Sequence, residues 1–356
     1  MIYIVNTLNV LFLAFIDWLN KKTKNYKSFS NIFFWISFIV LTCISGFRYR
    51  VGTDFWTYRE IYMYLGENKA VIGETEFAFQ ILLNLIHLIT DNPQMFFFIT
   101  SIIINFSVCL FIKKYSTSPM MSLYFYITTI SYYSTMNGIR QYIASCIMLL
   151  GFKYIHDKKF IKYLIVVLCA TTFHTSAYIF IPIYFIANQE IDSKWNKLFI
   201  GFIAVAMIFY QQFLSILFNI IGDSQYGHYK DEFLYGTNGA NILRIIVWWI
   251  PVIILIAKKD KVKELFGERS KIIMNLCFYG ACFMLLAYRD AYFARFCMYF
   301  DFYYLIALPY LYKIFDKKIN RFLCYAMVIG YFLYSTSLLL SGESNIYPYH
   351  FNLNLL

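Results

Sequence analysis

Apolar runs close to the length of a bilayer-crossing helix recur along the chain, with short polar stretches between them. The pattern predicts helices over 1–19, 31–45, 95–112, 120–136, 138–155, 198–221, 242–257, 272–287, 296–312 and 322–340. The run 163–187 is long enough for one crossing, but FHTS at 173–176 interrupts its centre. The run 77–89 is short for a crossing and carries Gln80, Asn84 and His87, so it reads as an interfacial or re-entrant helix.

The polar positions set the topology. Lysine clusters at 21–27, 113–114, 156–162, 258–271 and 316–321 mark cytoplasmic loops, because short cytoplasmic loops carry the positive charge. An even number of crossings must then join each cluster to the next. Runs 31–45 and 95–112 supply the first pair, which leaves 77–89 uncrossed and makes 46–94 one extended outer loop bearing short amphipathic helices. Runs 120–136 and 138–155 form a hairpin with NGIRQ (137–141) at its outer turn. One crossing over 163–187 would put the lysines of 258–271 outside. A broken hairpin with its tip at FHTS keeps them inside. Residues 222–241 become a second outer loop, and both chain ends fall outside.

The expectation is an all-α polytopic membrane protein of about 11–12 transmembrane helices. Residues 1–356 read as a single integral membrane domain. The opening run lacks a basic leader and a small-residue cleavage site, so it reads as a first membrane helix. Composition agrees: 60% of residues are hydrophobic and 14% charged, far from a soluble domain. The net charge of +11 belongs to the lysine loops, and nucleic acid is not an expected partner. Eight cysteines (Cys43, Cys109, Cys146, Cys169, Cys277, Cys282, Cys297, Cys324) lie in apolar runs without a CxxC pair, so buried free thiols are expected. No metal or cofactor is called for.

Parity has a consequence for arginine. Arg48, Arg50, Arg59, Arg140, Arg289 and Arg295 all fall on the outer side, against the positive-inside bias. Beside them fall Asp54, Glu60, Glu74, Glu76, Asp223, Asp290, His174 and His228. A guanidinium is a permanently charged planar fork that suits phosphate. Ionisable groups at membrane depth are costly and mark functional sites. The set therefore suggests an anion at headgroup level, such as a polyprenyl diphosphate. Plainer roles stay open for each member. Arg48 and Arg50 can snorkel to headgroups, Arg140 can cap helix ends, His174 can be structural, and Arg289–Asp290 can be a local ion pair.

Several blocks together resemble a known family. RYRVGTDFWTYREIY (48–62), ETEFAFQILLNLI (74–86), NGIRQYIA (137–144), FHTSAYIFIPIY (173–184) and ARFCMYF (294–300) resemble the EpsG-like branch of Wzy-type polysaccharide polymerases. The most specific are R-x-x-x-G-T-D-x-x-x-Y, here Arg48 to Tyr58, and I-R-Q-x-I-A. The resemblance implies a GT-C-like membrane glycosyltransferase that needs no metal. It would join glycans carried on undecaprenyl diphosphate, as donor and as acceptor, into O-antigen, capsule or exopolysaccharide at the outer face of a bacterial inner membrane. Membrane lipids and a chain-length regulator are the further partners it suggests.

Carried over, Arg48, Asp54, Arg140, His174 and Arg295 are the positions to test. Arg140 and Arg295, helped by Arg48, Arg50 or Arg289, would hold the diphosphate and stabilise the leaving group. Asp54 or His174 would take the acceptor proton, with Tyr58, Arg59, Glu60 and Glu76 in secondary, acceptor-side roles. Asp54 has a second reading, as the cap of the helix that follows it. An O-antigen ligase uses the same donor, and a lipid-linked oligosaccharide flippase would also bury charge. Both remain alternatives.

Overall fold

The structure, a computed structural model, describes residues 2–20, 26–66, 76–221 and 239–352. Glu74, Asp223, His228 and most of the second outer loop lie outside the described residues. The chain is almost wholly helical. It opens with α1 (Ile2–Asn20) and α2 (Tyr26–Gly46), then a two-residue strand β1 (Arg48–Tyr49). Two short helices follow, α3 (Phe55–Gly66) and α4 (Phe77–His87). Next come α5 (Pro93–Tyr115), α6 (Pro119–Thr128), α7 (Ser131–Ser134) and α8 (Ile139–His156).

Helices α9 (Phe160–Thr171) and α10 (Phe180–Ala187) flank a single 3-10 turn, and α11 (Lys194–Ile208) runs into α12 (Tyr210–Ile221). The last third holds α13 (Ile242–Ala257), α14 (Lys259–Phe266), α15 (Arg269–Leu286), α16 (Ala294–Cys297), α17 (Asp301–Leu311) and α18 (Lys317–Leu340), then β2 (His350–Phe351).

Among the described residues, α5, α15 and α18 are each long and apolar enough to cross a membrane. The pair α11–α12 makes a fourth if read as one span, although it bends by 104° at Phe209. Shorter apolar helices surround them, and together they mark a membrane protein. Several of the apolar runs predicted to cross are broken.

Run 120–136 stops at Thr128, turns through Ile130 at φ 71°, and adds only the one-turn α7. Run 198–221 folds over at Phe209, and run 296–312 splits between α16 and α17. Run 163–187 breaks where FHTS stands, with His174 extended at φ −160°. Run 77–89 is a single short helix, as its polar residues require.

Helix ends follow their caps. Asn92 accepts from the Gln94 amide ahead of α5 with Pro93 at the first position, and Asn241 accepts from the Leu243 amide ahead of α13. On α18, Phe322, Tyr325, Ile329 and Leu333 recur at helical spacing and stand exposed, a face made for lipid.

Tyrosines tie much of the interior together. Tyr124, Tyr126, Tyr132, Tyr163 and Tyr279 are fully buried. Their hydroxyls donate to carbonyl oxygens of other segments: Val328, Asn105, Leu41, Phe180 and Asn196. A bilayer core supplies no such acceptor, so these phenols turn inward and bind helix to helix. All eight cysteines are free, but Cys169 is exposed and Cys43 and Cys324 are half-buried, contrary to the uniform burial expected.

The C-terminal tail returns to the start of the first outer stretch. β2 pairs antiparallel with β1, Arg48 opposite Phe351 and Tyr49 opposite His350. The Asn352 amide donates to Phe47 O at 2.8 Å and the Gly52 amide to Asn345 O at 2.9 Å. Tyr3 and Tyr349 donate their hydroxyls to Ile346 O and Ile44 O. At the other end of the helices, Lys259, Lys263 and Lys271 meet Asp192, Glu190 and Glu268, and Lys313 donates to Thr117 O at 2.9 Å. Among the described residues, the segments bearing Arg48, Arg140 and Arg295 and these lysine pairs therefore occupy opposite ends.

Candidate functional site

A cavity of about 250 Å³ opens at the arginine end. The breaks in the helices build it. Its walls come from the loop ahead of α3, the turns between α6 and α8, the break after α9, the first turns of α13, and residues from Met284 to Asp301.

Gly52, Asp54 and Asn137 lace three of these segments together. Gly52 has φ 97°, and a Cβ there would sit 2.4 Å from Asn137 Oδ1, so only glycine fits. The Asp54 amide donates to Asn137 Oδ1 at 3.4 Å, and Asn137 Nδ2 donates to Ser344 O at 3.1 Å. Asp54 Oδ2 accepts from the Gly138 amide at 2.8 Å, and Oδ1 accepts from the Thr53 hydroxyl at 3.1 Å. The carboxylate thus lies at the N-terminus of α8, where helix dipole and open amides favour negative charge. The two readings left open for Asp54 were a cap for its own helix and a base. The structure gives it a third place, as a latch onto another helix.

The second cluster centres on Glu76, 7% exposed. Its Oε2 accepts from Arg140 Nη1 at 2.7 Å. Its Oε1 lies 2.9 Å from His174 Nδ1 and accepts from the Thr175 amide at 3.3 Å. Burial alone would raise this carboxyl. The His174 hydrogen bond and the Arg140 charge outweigh burial and hold it at about 2. Glu76 is therefore ionised and can only accept, so His174 Nδ1 carries the hydrogen it shares. A neutral His174 then has its lone pair on Nε2. Helix α4 is docked beside this cluster by the Ala78 amide, which donates to Thr172 O at 3.0 Å. The Arg140 amide donates to the Tyr58 hydroxyl at 3.3 Å, and the Glu76 bond occupies one of the five guanidinium donors. Gln141 Nε2 donates to Arg295 O at 2.7 Å and fixes α16 against α8.

Of the residues singled out in the sequence, Asp54, Tyr58, Arg140, His174 and Arg295 line the cavity, and Glu76 stands behind it. The other described ones do not line it. Arg48 is fully buried beneath, donating to Ser45 O at 2.7 Å and Met136 O at 3.1 Å, with its guanidinium 4.7 Å from the Phe97 ring centre. Burial pulls it down to about 10, so it stays charged at neutral pH and works as a brace between α2 and the turn ahead of α8. Arg50 and Arg59 lie against Trp56, and Glu60 is exposed. Arg289 is exposed against the Tyr210 ring, and its neighbour Asp290 accepts from the Tyr292 amide. Tertiary folding draws these five away from the cavity.

Three cavity residues were passed over. Arg244 and Trp248 come from α13, and Asp301 begins α17. Arg244 and Asp301 are single charges set in strongly apolar runs, and that is the signal that marks them.

A sequence profile of the EpsG family matches residues 31–351, nearly the whole of the described chain. No curated protein and no solved structure matches it. EpsG-like proteins are related to Wzy-type polymerases, and the family carries a polysaccharide polymerase-type, glycosyltransferase-like function.

Proposed function

The chain belongs to the EpsG family, and on that premise we propose that it polymerises oligosaccharide repeat units carried on undecaprenyl diphosphate. The polymerisation takes place at the outer face of the bacterial inner membrane, on a GT-C-like scaffold whose first outer loop helps to close the site. The product is an O-antigen, capsule or exopolysaccharide. The observation that carries this reading is the Arg140–Glu76–His174 cluster at the cavity wall.

In this reading Arg140 and Arg295 face the donor diphosphate. Their fixed positive charge is worth most where oxygens gain negative charge as the anomeric bond breaks. His174 Nε2 takes the proton of the acceptor hydroxyl, whose oxygen attacks the anomeric carbon. The bond from that carbon to the diphosphate oxygen breaks, and undecaprenyl diphosphate leaves with the electron pair. Glu76 fixes the histidine tautomer and stabilises the imidazolium, and it holds Arg140 in register through its other oxygen. Asp54 keeps the α8 N-terminus closed against the outer stretch, so Arg140 stays in place. A general base contributes roughly 10²–10⁴-fold to such a step.

The test is chain extension by the purified protein on extracted lipid-linked repeat units, read as a ladder on a gel. Arg140→Ala and His174→Ala should yield folded protein and no ladder; a ladder of wild-type length from either variant overturns its role. EDTA should leave the wild-type ladder intact. Loss with EDTA and recovery with Mg²⁺ would replace the arginine clamp with a metal.

A further inference from the structure

We infer that the floor of the cavity is a sugar-binding subsite formed by Asp301, Arg244 and Trp248, and that it selects the sugar at which the new bond forms. This rests on the polymerase reading above and assigns the part of the cavity that reading leaves idle.

Asp301 is 8% exposed, yet it lines the cavity. Its Oδ2 accepts from the Tyr142 hydroxyl at 2.7 Å, and Tyr142 is itself fully buried, so the carboxylate is held in one orientation. Arg244 lines the same cavity. A buried carboxylate that merely held helices together would be a poor investment, since well-packed apolar residues do the same at lower desolvation cost. One set at a cavity is better explained by what enters. Trp248 lies one helical turn beyond Arg244, on the same face of α13. Its ring is packed 4.4 Å from the Tyr304 ring centre, and the Tyr304 hydroxyl donates to Trp248 O at 3.0 Å.

The chemistry of the three points to a pyranose rather than a phosphate. A carboxylate accepts hydroxyl hydrogens and repels phosphate oxygens. A guanidinium donates to hydroxyl and ring oxygens, and an aromatic face covers the C–H face of a sugar. At about 250 Å³ the cavity lies below the 300–1,000 Å³ typical of small-molecule pockets, so it holds the reacting end of the substrate and not a whole repeat unit. Recognition at the floor is then recognition of one sugar.

Two probes separate this subsite from the anion site: undecaprenyl diphosphate, and the lipid-linked repeat unit extracted from cells lacking this protein. Binding of each is measured to the full chain in nanodiscs. Wild type should bind the glycan-bearing lipid at least tenfold more tightly. Asp301→Asn and Trp248→Ala should each remove that preference while leaving affinity for undecaprenyl diphosphate unchanged, and that retained affinity also reports a folded protein. Arg140→Ala should weaken both probes. A tenfold preference that survives in Asp301→Asn and Trp248→Ala overturns the subsite, as does a parallel loss of both probes. A wild-type protein indifferent to the glycan overturns the subsite and leaves the polymerase standing. Binding of neither lipid by wild type removes the polymerase reading and the subsite with it.

Discussion

At the lysine end of the helices, Glu190, Asp192 and Glu268 keep 53–58% of their side chains open to water while they pair with Lys259, Lys263 and Lys271. At the arginine end, Glu76 keeps 7%, Arg48 keeps 1% and Asp301 keeps 8%. The groups are chemically alike and their surroundings are not. Exposed pairs trade one set of solvent contacts for another and are worth little. A buried charge has no water to fall back on, so each must have its protein partners or a ligand. Glu76 has Arg140, His174 and Thr175, and Arg48 has two carbonyls and an aromatic face. The lysine end is open to water; the arginine end is where removing one group leaves another stranded.

Arg140→Lys tests that contrast hardest. It keeps the charge and loses the planar fork, so one ammonium must choose between Glu76 and the donor phosphates. The chain-extension rate should fall by about 100-fold or more, the usual cost of one preorganised donor at developing negative charge. The thermal midpoint in detergent should barely move. A rate within a few-fold of wild type would show that point charge alone suffices.

Arg48→Met breaks the comparison in the other direction. Both arginines stand at the same end of the helices, but Arg48 braces backbone and Arg140 faces the cavity. Removing the guanidinium strands Ser45 O and Met136 O in a buried place, at about 2–4 kcal/mol. The expected readout is a lower Tm and a lower yield. Any remaining folded protein should bind undecaprenyl diphosphate as wild type does. Unchanged Tm with lost diphosphate binding would return Arg48 to the phosphate.

Those two arginines show what a sequence holds and where it stops. Lysine parity placed the cavity segments on one side and the break at FHTS, because crossing number and loop charge are one-dimensional properties. Nothing one-dimensional separates a brace from a ligand. That depends on Arg50 at φ 57°, on the strand pairing of Arg48 with the returning tail, and on Met136 arriving from 88 residues away. Asp54 found its partner amide 84 residues on, at Gly138. The bend at Phe209 has neither proline nor glycine to announce it. Arg244 and Asp301 stand as lone charges in apolar runs, the one-dimensional mark of an ionisable group at membrane depth.

Glu76→Gln sharpens the comparison through pH. The carboxyl is held at about 2, below the ordinary value near 4.3. Its ionised form therefore stabilises the fold fully above that ordinary value, and the contribution fades as pH falls toward 2. The variant should be about 1–3 kcal/mol less stable at neutral pH, the range for hydrogen bonds to a charged group. The gap in Tm between wild type and variant should stay level from about pH 8 to pH 5 and close below. A gap that ignores pH down to 3 would mean that shape, not charge, holds the cluster.

Glu190→Gln should do least. Glu190 meets Lys263 at 3.5 Å and Lys271 at 3.4 Å, yet its side chain stays 53% exposed, so water replaces the lost partner at once. Tm and chain-extension rate should match wild type within error, in low salt and in high. The informative arm is salt. Raising ionic strength screens what remains of the lysine-end pairs but leaves the buried arginine-end contacts intact, so it should reproduce Glu190→Gln in the wild-type protein and never Glu76→Gln. If 1 M salt lowered the neutral-pH Tm as far as Glu76→Gln does, the two ends would differ less in solvent than their burial indicates.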